Sequence, residues 1–280
     1  MARMKLNGAM HPSRLFYDTR SIRQEIERMF GGWPEYATEP YWRVRGGFVH
    51  PFKDYKRVFA TEADLKEWSD ELDRKAESLF SSAEVVVITL GLIEAWKQPR
   101  TGNFYTEIPH PDNFESLGAK LYRLSVSEMF DDLQRIREVL REHTQAEIII
   151  TVSPIPLHAT MTPLDIRVAN IESKSRIRAA VSEFIDRFPD VHYFHSYEIV
   201  TTAERLGDFM LEDGRHVHRK AVDYVICEFL KMFAREELTI PEVDISWLTS
   251  PTKVAERPTP HERSLAKKYQ SALSRLTRRS

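Results

Sequence analysis

Short runs that are apolar at nearly every position alternate along this chain with longer segments whose apolar residues recur every three or four positions. Val85-Val86-Val87-Ile88-Thr89-Leu90 is β-branched and apolar on both faces, the signature of a strand buried on both sides of a parallel sheet. Glu147-Ile148-Ile149-Ile150-Thr151-Val152 repeats that signature, and Val191-His192-Tyr193-Phe194 gives a shorter third strand. Between the first two strands, Phe130, Leu133, Ile136, Val139 and Leu140 fall at helical spacing, with Ser127 placed to cap the helix. A second helix from about Ser173 puts Ile177, Val181, Phe184 and Ile185 on one face. A third carries Val222, Val225, Ile226, Phe229 and Leu230. Ahead of the first strand, Thr61 caps a helix with Leu65, Trp68, Leu72 and Leu79 inward. Strands alternating with helices of this length imply right-handed crossovers and a parallel sheet covered on both faces.

Two connections break this rhythm. The stretch from Gly91 to about Ser125 is long and rich in Pro, Asn, Gly and aromatic residues, and Ser153 to Ile171 is a second excursion. Both leave the carboxyl end of a predicted strand, where parallel sheets form their binding crevices. From Thr249 the chain turns polar, with Pro251, Pro258 and Pro260, and then basic, with Arg263, Lys267, Lys268, Arg275, Arg278 and Arg279. The pattern divides the chain into one α/β domain over 1–246 and a polar basic tail over 247–280, partly helical or disordered. Leu265, Tyr269, Leu273 and Leu276 give that tail a thin apolar stripe; a solvated, partly helical tail is the favoured reading, and contact with an anionic surface or a partner is the alternative.

Composition narrows the picture. Of 280 residues, 42% are apolar, enough for a real core, and a net charge of −2 gives no global bias toward nucleic acid. The most apolar run, Val85 to Leu90, is far too short to cross a bilayer. The basic start Met1-Ala2-Arg3-Met4-Lys5-Leu6 has no apolar stretch behind it and does not read as a secretory signal. The single cysteine, Cys227, excludes an internal disulfide and falls among apolar positions as a core thiol. A cytoplasmic protein is the expectation. No residue pattern calls for a cofactor. His216 and His218, two apart, have no carboxylate spacing to complete a metal site.

Candidate chemistry concentrates in three places. Asp213-Gly214-Arg215-His216 puts a carboxylate three residues before an imidazole, just ahead of a helix expected to begin near His218. A hydroxyl nucleophile needs such a base, and the base needs a carboxylate to fix its tautomer. The competing reading is a charged surface loop, which Arg215, His218, Arg219 and Lys220 fit well. In Thr89-Leu90-Gly91-Leu92-Ile93-Glu94-Ala95-Trp96, Gly91 ends a strand, where it permits a sharp turn and offers its N–H to a ligand oxygen. Glu94 and Trp96 then face the crevice or cap the next segment; the alternative is a plain strand exit with a buried Trp. Ser153, in Val152-Ser153-Pro154-Ile155-Pro156, lies at a strand's carboxyl end, but the two prolines make a stiff exit with no elbow to present a nucleophile. It reads as a hydrogen-bonding turn residue. Gly91, Glu94, Trp96 and Ser153 form the candidate substrate-contacting set.

Five blocks in order carry a resemblance. They are Thr89-Leu90-Gly91-Leu92-x-Glu94-Ala95-Trp96, Thr151-Val152-Ser153-Pro154-Ile155-Pro156-Leu157-x-Ala159-Thr160, Ser173-Lys174-Ser175-x-x-Arg178-Ala179, Tyr193-Phe194-x-Ser196-Tyr197-Glu198-Ile199 and the segment from Asp213 to His216. With Tyr17-Asp18-Thr19-Arg20-Ser21-Ile22 ahead of them, the stretch from Asn7 to Phe233 resembles the GSCFA domain family, a bacterial branch similar to SGNH-type esterases and acyltransferases. The resemblance implies a three-layer α/β/α sandwich of flavodoxin-like type with a mainly parallel sheet. It implies attack by a serine, with His216 as base and Asp213 orienting it, on an acylated glycan or glycolipid. The Gly-Ser-Cys-Phe-Ala motif that names the family does not occur in this sequence. The first strand and nucleophile loop are therefore expected to be missing, leaving a marginally stable or self-associating sheet. Ile93 stands where SGNH enzymes place an oxyanion-binding asparagine. Ser13, Ser81 and Ser82 lack the strand and glycine turn a substitute nucleophile needs. The alternative expectation is a non-catalytic relative that binds a glycan or protein, with Tyr105, Trp96, Tyr193 and Tyr197 as possible aromatic faces.

Overall fold

The computed structural model describes residues 10–12, 15–30, 32, 41–54, 56–105, 107–201, 209–234, 240 and 242. Ser13, the boundary at 246 and the basic tail lie outside the described residues. In chain order the elements are α1 (Thr19–Met29), β1 (Trp42–Val44), β2 (Gly47–Val49), α2 (Glu62–Ser82), β3 (Val85–Leu90), β4 (Glu94–Lys97), β5 (Phe104–Tyr105) and α3 (Pro111–Leu117). There follow β6 (Lys120–Arg123), α4 (Val126–His143), β7 (Glu147–Val152), α5 (Ile166–Arg187), β8 (Val191–Phe194), α6 (Ser196–Thr201) and α7 (Arg219–Phe233).

The three predicted strands are β3, β7 and β8, and they pair in parallel in that order. Val86, Ile88 and Leu90 sit opposite Ile148, Ile150 and Val152, so both sets share one face. That face is buried against Leu133, Ile136 and Leu140 of α4, Ile177, Val181 and Phe184 of α5, and Ile26 of α1. Each such side chain contributes about 1.5–3 kcal/mol of burial. On the other face, Phe229 and Phe233 of α7 pack edge-on against Phe194. Helices on both sides of a parallel sheet make this an α/β sandwich, not a closed barrel.

One strand differs from expectation. Val85 and Val87 are 45% and 48% exposed, so β3 is apolar on both faces but buried on only one. The cause is the placement of α7, whose ring contacts with the sheet fall on β8, while β3 is the strand at the opposite edge. Val222 and Ile226 of α7 are likewise exposed, and Leu79 of α2 points outward. Cys227 is buried, as the apolar pattern predicts.

Helix starts follow side-chain capping. Thr61 caps α2 through the Asp64 N–H. Ser125 caps α4, displacing Ser127 from that role. Ser125 has Glu128 three residues on, and the two close a capping box, while Ser127 is left exposed. α5 starts at Ile166, well before Ser173, because Asp165 caps it there.

The stretch from Gly91 to Ser125 is not a plain loop. It folds into an antiparallel sheet of order β5-β4-β6 and the short helix α3. The β1–β2 hairpin supplies Trp42, Val44 and Val49 to a small core shared with Tyr105 and Ala119. Glycine is required at Gly47, where φ is +147° and a Cβ would fall 1.9 Å from the Phe59 carbonyl oxygen. Charge ties α1 to α4: Asp132, fully buried, accepts from Arg20 Nε at 2.6 Å and Thr19 Oγ1 at 3.0 Å. Burial pushes the Asp132 carboxyl up, against the pull of the neighbouring Arg20 and Arg23.

Candidate functional site

The acid–base pair comes from the loop that enters α7. An isolated bridge between Met210 and Val217 closes this loop, and the Leu211 N–H donates to the His216 carbonyl at 2.7 Å. Gly214 takes a φ of +64° at its tip, and Phe209 and Ala221 bury its base in a small cluster with Val200. His218 caps α7, so the helix starts where the sequence puts it. Within the loop, His216 Nδ1 lies 2.5 Å from Asp213 Oδ2. Asp213 Oδ1 accepts from the backbone N–H groups of Arg215 and His216, each at 2.9 Å. The His216 ring and these two N–H groups hold the Asp213 carboxyl well below the ordinary carboxylate range. Both side chains are exposed. The arrangement fixes one imidazole nitrogen against a carboxylate and leaves Nε2 outward, the disposition a general base requires.

The predicted substrate-contacting residues have local duties. The Gly91 N–H is occupied: it donates to the Tyr17 carbonyl at 2.8 Å, and the Leu92 N–H shares that acceptor at 3.2 Å. It is not offered to a ligand. Gly91 also avoids the left-handed region, so it makes no sharp glycine turn. Its carbonyl accepts from Lys174 Nζ at 2.7 Å. Glu94 opens β4 and pins the other excursion, accepting from Thr160 Oγ1 at 2.5 Å and the Met161 N–H at 3.1 Å. Trp96 packs edge-on to Phe114, with ring centroids 5.4 Å apart. Tyr105 is core, against Trp42 and Phe52. Ser153 is the turn residue expected: its Oγ accepts from the Ile155 N–H, and its own N–H donates to the Leu90 carbonyl at 2.8 Å. Gly91 and Ser153 thus lie side by side at the carboxyl ends of β3 and β7. No hydrogen bond, ion pair or ring contact among the described residues joins Asp213 or His216 to this group. Among the described residues, no three His, Cys, Asp or Glu side chains are grouped to hold a metal ion.

A family comparison matches residues 1–229 to the GSCFA family. The chain belongs to the GSCFA family. No curated protein and no solved structure matches it. No described helix is long and apolar enough to cross a membrane.

Within this GSCFA chain, tertiary structure adds groups that the residue-by-residue reading left unassigned. In the block Ser173-Lys174-Ser175-x-x-Arg178-Ala179, Lys174 is 2% exposed and reaches the strand exit at Gly91. Burial alone pushes its ammonium down to about 8. In the block around Ser196 and Glu198, two buried hydroxyls join the sheet to α6. Thr151 Oγ1 lies 2.7 Å from the Phe194 carbonyl and 2.6 Å from Ser196 Oγ, which is 3.0 Å from the Val152 carbonyl. Glu198 accepts from Arg178 Nε at 2.8 Å and from the Tyr193 hydroxyl. Burial and that carboxylate raise the Tyr193 phenol. The sequence carries no local signal for the burial of Lys174, which stands between two serines, Ser173 and Ser175.

Proposed function

We propose that this GSCFA chain serves O-acyl chemistry of the SGNH type, hydrolysing or transferring an acyl group on a glycan or glycolipid. The observation that carries the reading is the 2.5 Å contact between His216 Nδ1 and Asp213 Oδ2 on the loop ahead of α7. In this reading Asp213 holds the tautomer of His216. Nε2 takes the proton of a serine hydroxyl as that oxygen attacks the ester carbonyl. The same nitrogen then returns the proton to the departing sugar oxygen, and water releases the acyl group, or a second hydroxyl accepts it, by the reverse steps. No serine of this chain is assigned as the nucleophile. The carboxyl ends of β3 and β7, with Gly91, Glu94, Trp96 and Ser153, form the wall along which the substrate is placed.

The test is a serine-directed fluorophosphonate probe on the purified chain, with His216→Ala as control. Stoichiometric labelling that depends on His216 is the expected result. Absent labelling would show that the chain holds no activated serine. A second reading is supported by the occupied Gly91 N–H and by Ile93, buried where an oxyanion donor is expected. It is a non-catalytic GSCFA relative that binds its glycan or protein partner in the same crevice. Glycan titration separates the two, because a binder keeps its affinity in His216→Ala while an enzyme loses turnover.

A further inference from the structure

A groove of about 440 Å³ opens where α5 meets α6, lined by Lys174, Ser175, Arg178, Ala179, Ser182 and Tyr197. Ser175, Ala179 and Ser182 form its exposed rim, and Lys174 is its most deeply buried member. An ammonium has three N–H donors. Among the described residues, that of Lys174 makes one hydrogen bond, to the Gly91 carbonyl.

The charges of the groove do not balance. Arg178 is matched by Glu198 and lies over the Tyr193 ring, its guanidinium carbon 4.3 Å from the centroid. Lys174 has no such match: among the described residues no carboxylate forms an ion pair with it, and its hydrogen bond goes to a neutral carbonyl. Removing an ammonium from water without a counter-charge is among the costlier steps in folding. Holding one carbonyl uses one of its three donors and leaves the charge itself unmatched. The ordinary role of a buried, unbalanced cation in a cleft is to meet an anion. The size fits as well, because ligand pockets run from about 300 to 1,000 Å³.

We propose that the groove between α5 and α6 is an oxyanion-binding site that takes a carboxylate or phosphate group, with Lys174 supplying the balancing charge. Ser175, Ser182 and the Tyr197 hydroxyl supply hydrogen bonds around the rim, and Arg178 stays with Glu198. The inference does not depend on the esterase reading and uses no residue assigned to it as acid, base or nucleophile.

The experiment is calorimetric titration of the full chain with potassium phosphate and, separately, potassium acetate, at constant ionic strength set with potassium chloride. Wild type is compared with Lys174→Met, which keeps the stem and removes the charge. It is also compared with Ser175→Asp, which places a fixed carboxylate on the exposed rim without touching the core. Saturable binding of either anion by wild type is expected, weakened at least about tenfold in Lys174→Met and lost in Ser175→Asp. Binding of phosphate alone, acetate alone or both identifies the group and supports the site in each case. Two results overturn the proposal: no saturable heat with either anion in wild type, or unchanged affinity in Ser175→Asp. The second variant keeps the test decisive if Lys174→Met fails to fold.

Discussion

Replacing Thr151 with valine tests how α6 is fastened to the end of the sheet. Thr151 and Ser196 own one hydroxyl hydrogen each, yet three short contacts involve them: 2.6 Å between the two oxygens, 2.7 Å to the Phe194 carbonyl and 3.0 Å to the Val152 carbonyl. Two hydrogens cannot fill three contacts. Two oxygens at 2.6 Å with no hydrogen between them repel, so the longest contact is the one to yield. Ser196 then donates to Thr151, and Thr151 donates to the Phe194 carbonyl, in a buried relay. Valine has nearly the shape of threonine, so Thr151→Val breaks both links without opening a cavity. It leaves a buried hydroxyl and a buried carbonyl each short of a partner. At about 1–3 kcal/mol per unsatisfied buried group, and with Ser196 free to turn to the Val152 carbonyl so that only the Phe194 carbonyl stays short, the net loss is about 1–3 kcal/mol. Ser196→Ala removes one link and leaves Thr151 bonded to Phe194, for about 1 kcal/mol. Urea unfolding at unchanged m-value is the assay, with a fall in Tm on the order of 2–10 °C for Thr151→Val. The double variant should lose less than the sum of the singles by roughly 0.5 kcal/mol or more. A larger loss for Ser196→Ala than for Thr151→Val, or strict additivity, refutes the relay.

Three further outcomes follow from the same geometry. Ile88→Ala empties a core position and should cost about 2–5 kcal/mol in denaturant unfolding, whereas Val87→Ala, one residue away on the open face, should cost well under 1 kcal/mol; equal losses would mean that β3 is covered on both sides in solution. Because His216 and two backbone N–H groups depress the Asp213 carboxyl, its stabilising effect is present above the unfolded-state pKa of about 3.9 and is lost only as pH falls through the lower folded value. A ¹³C titration of Asp213 should therefore place its carboxyl midpoint clearly below about 3.9, and a midpoint near 3.9 contradicts the loop geometry. Glu94→Ala unpins Thr160 and Met161, so amide exchange across residues 157–164 should accelerate while β7 stays protected; unchanged exchange would assign that loop's order to other contacts.

What the sequence determines by itself is local. β3, β7 and β8 match the apolar runs residue for residue, because a strand's signature is written in consecutive positions. Thr61 caps α2, Ser153 makes its turn and Asp213 meets His216 for the same reason: each interaction closes within a few residues. The capping of α4 was legible too, in the Ser125–Glu128 spacing, although Ser127 lies nearer the first apolar residue of the predicted stripe. Tertiary structure decides what lies across the chain. Periodicity marks a face as apolar but not which neighbour covers it, so the open side of β3 depends on where α7 comes to rest. Gly91 meets the Tyr17 carbonyl and Lys174, and Glu94 meets Thr160, only after the helices pack and bring distant segments to the carboxyl ends of the strands. A buried lysine reads in sequence like any surface lysine, and its unbalanced charge exists only once packing has excluded the water around it.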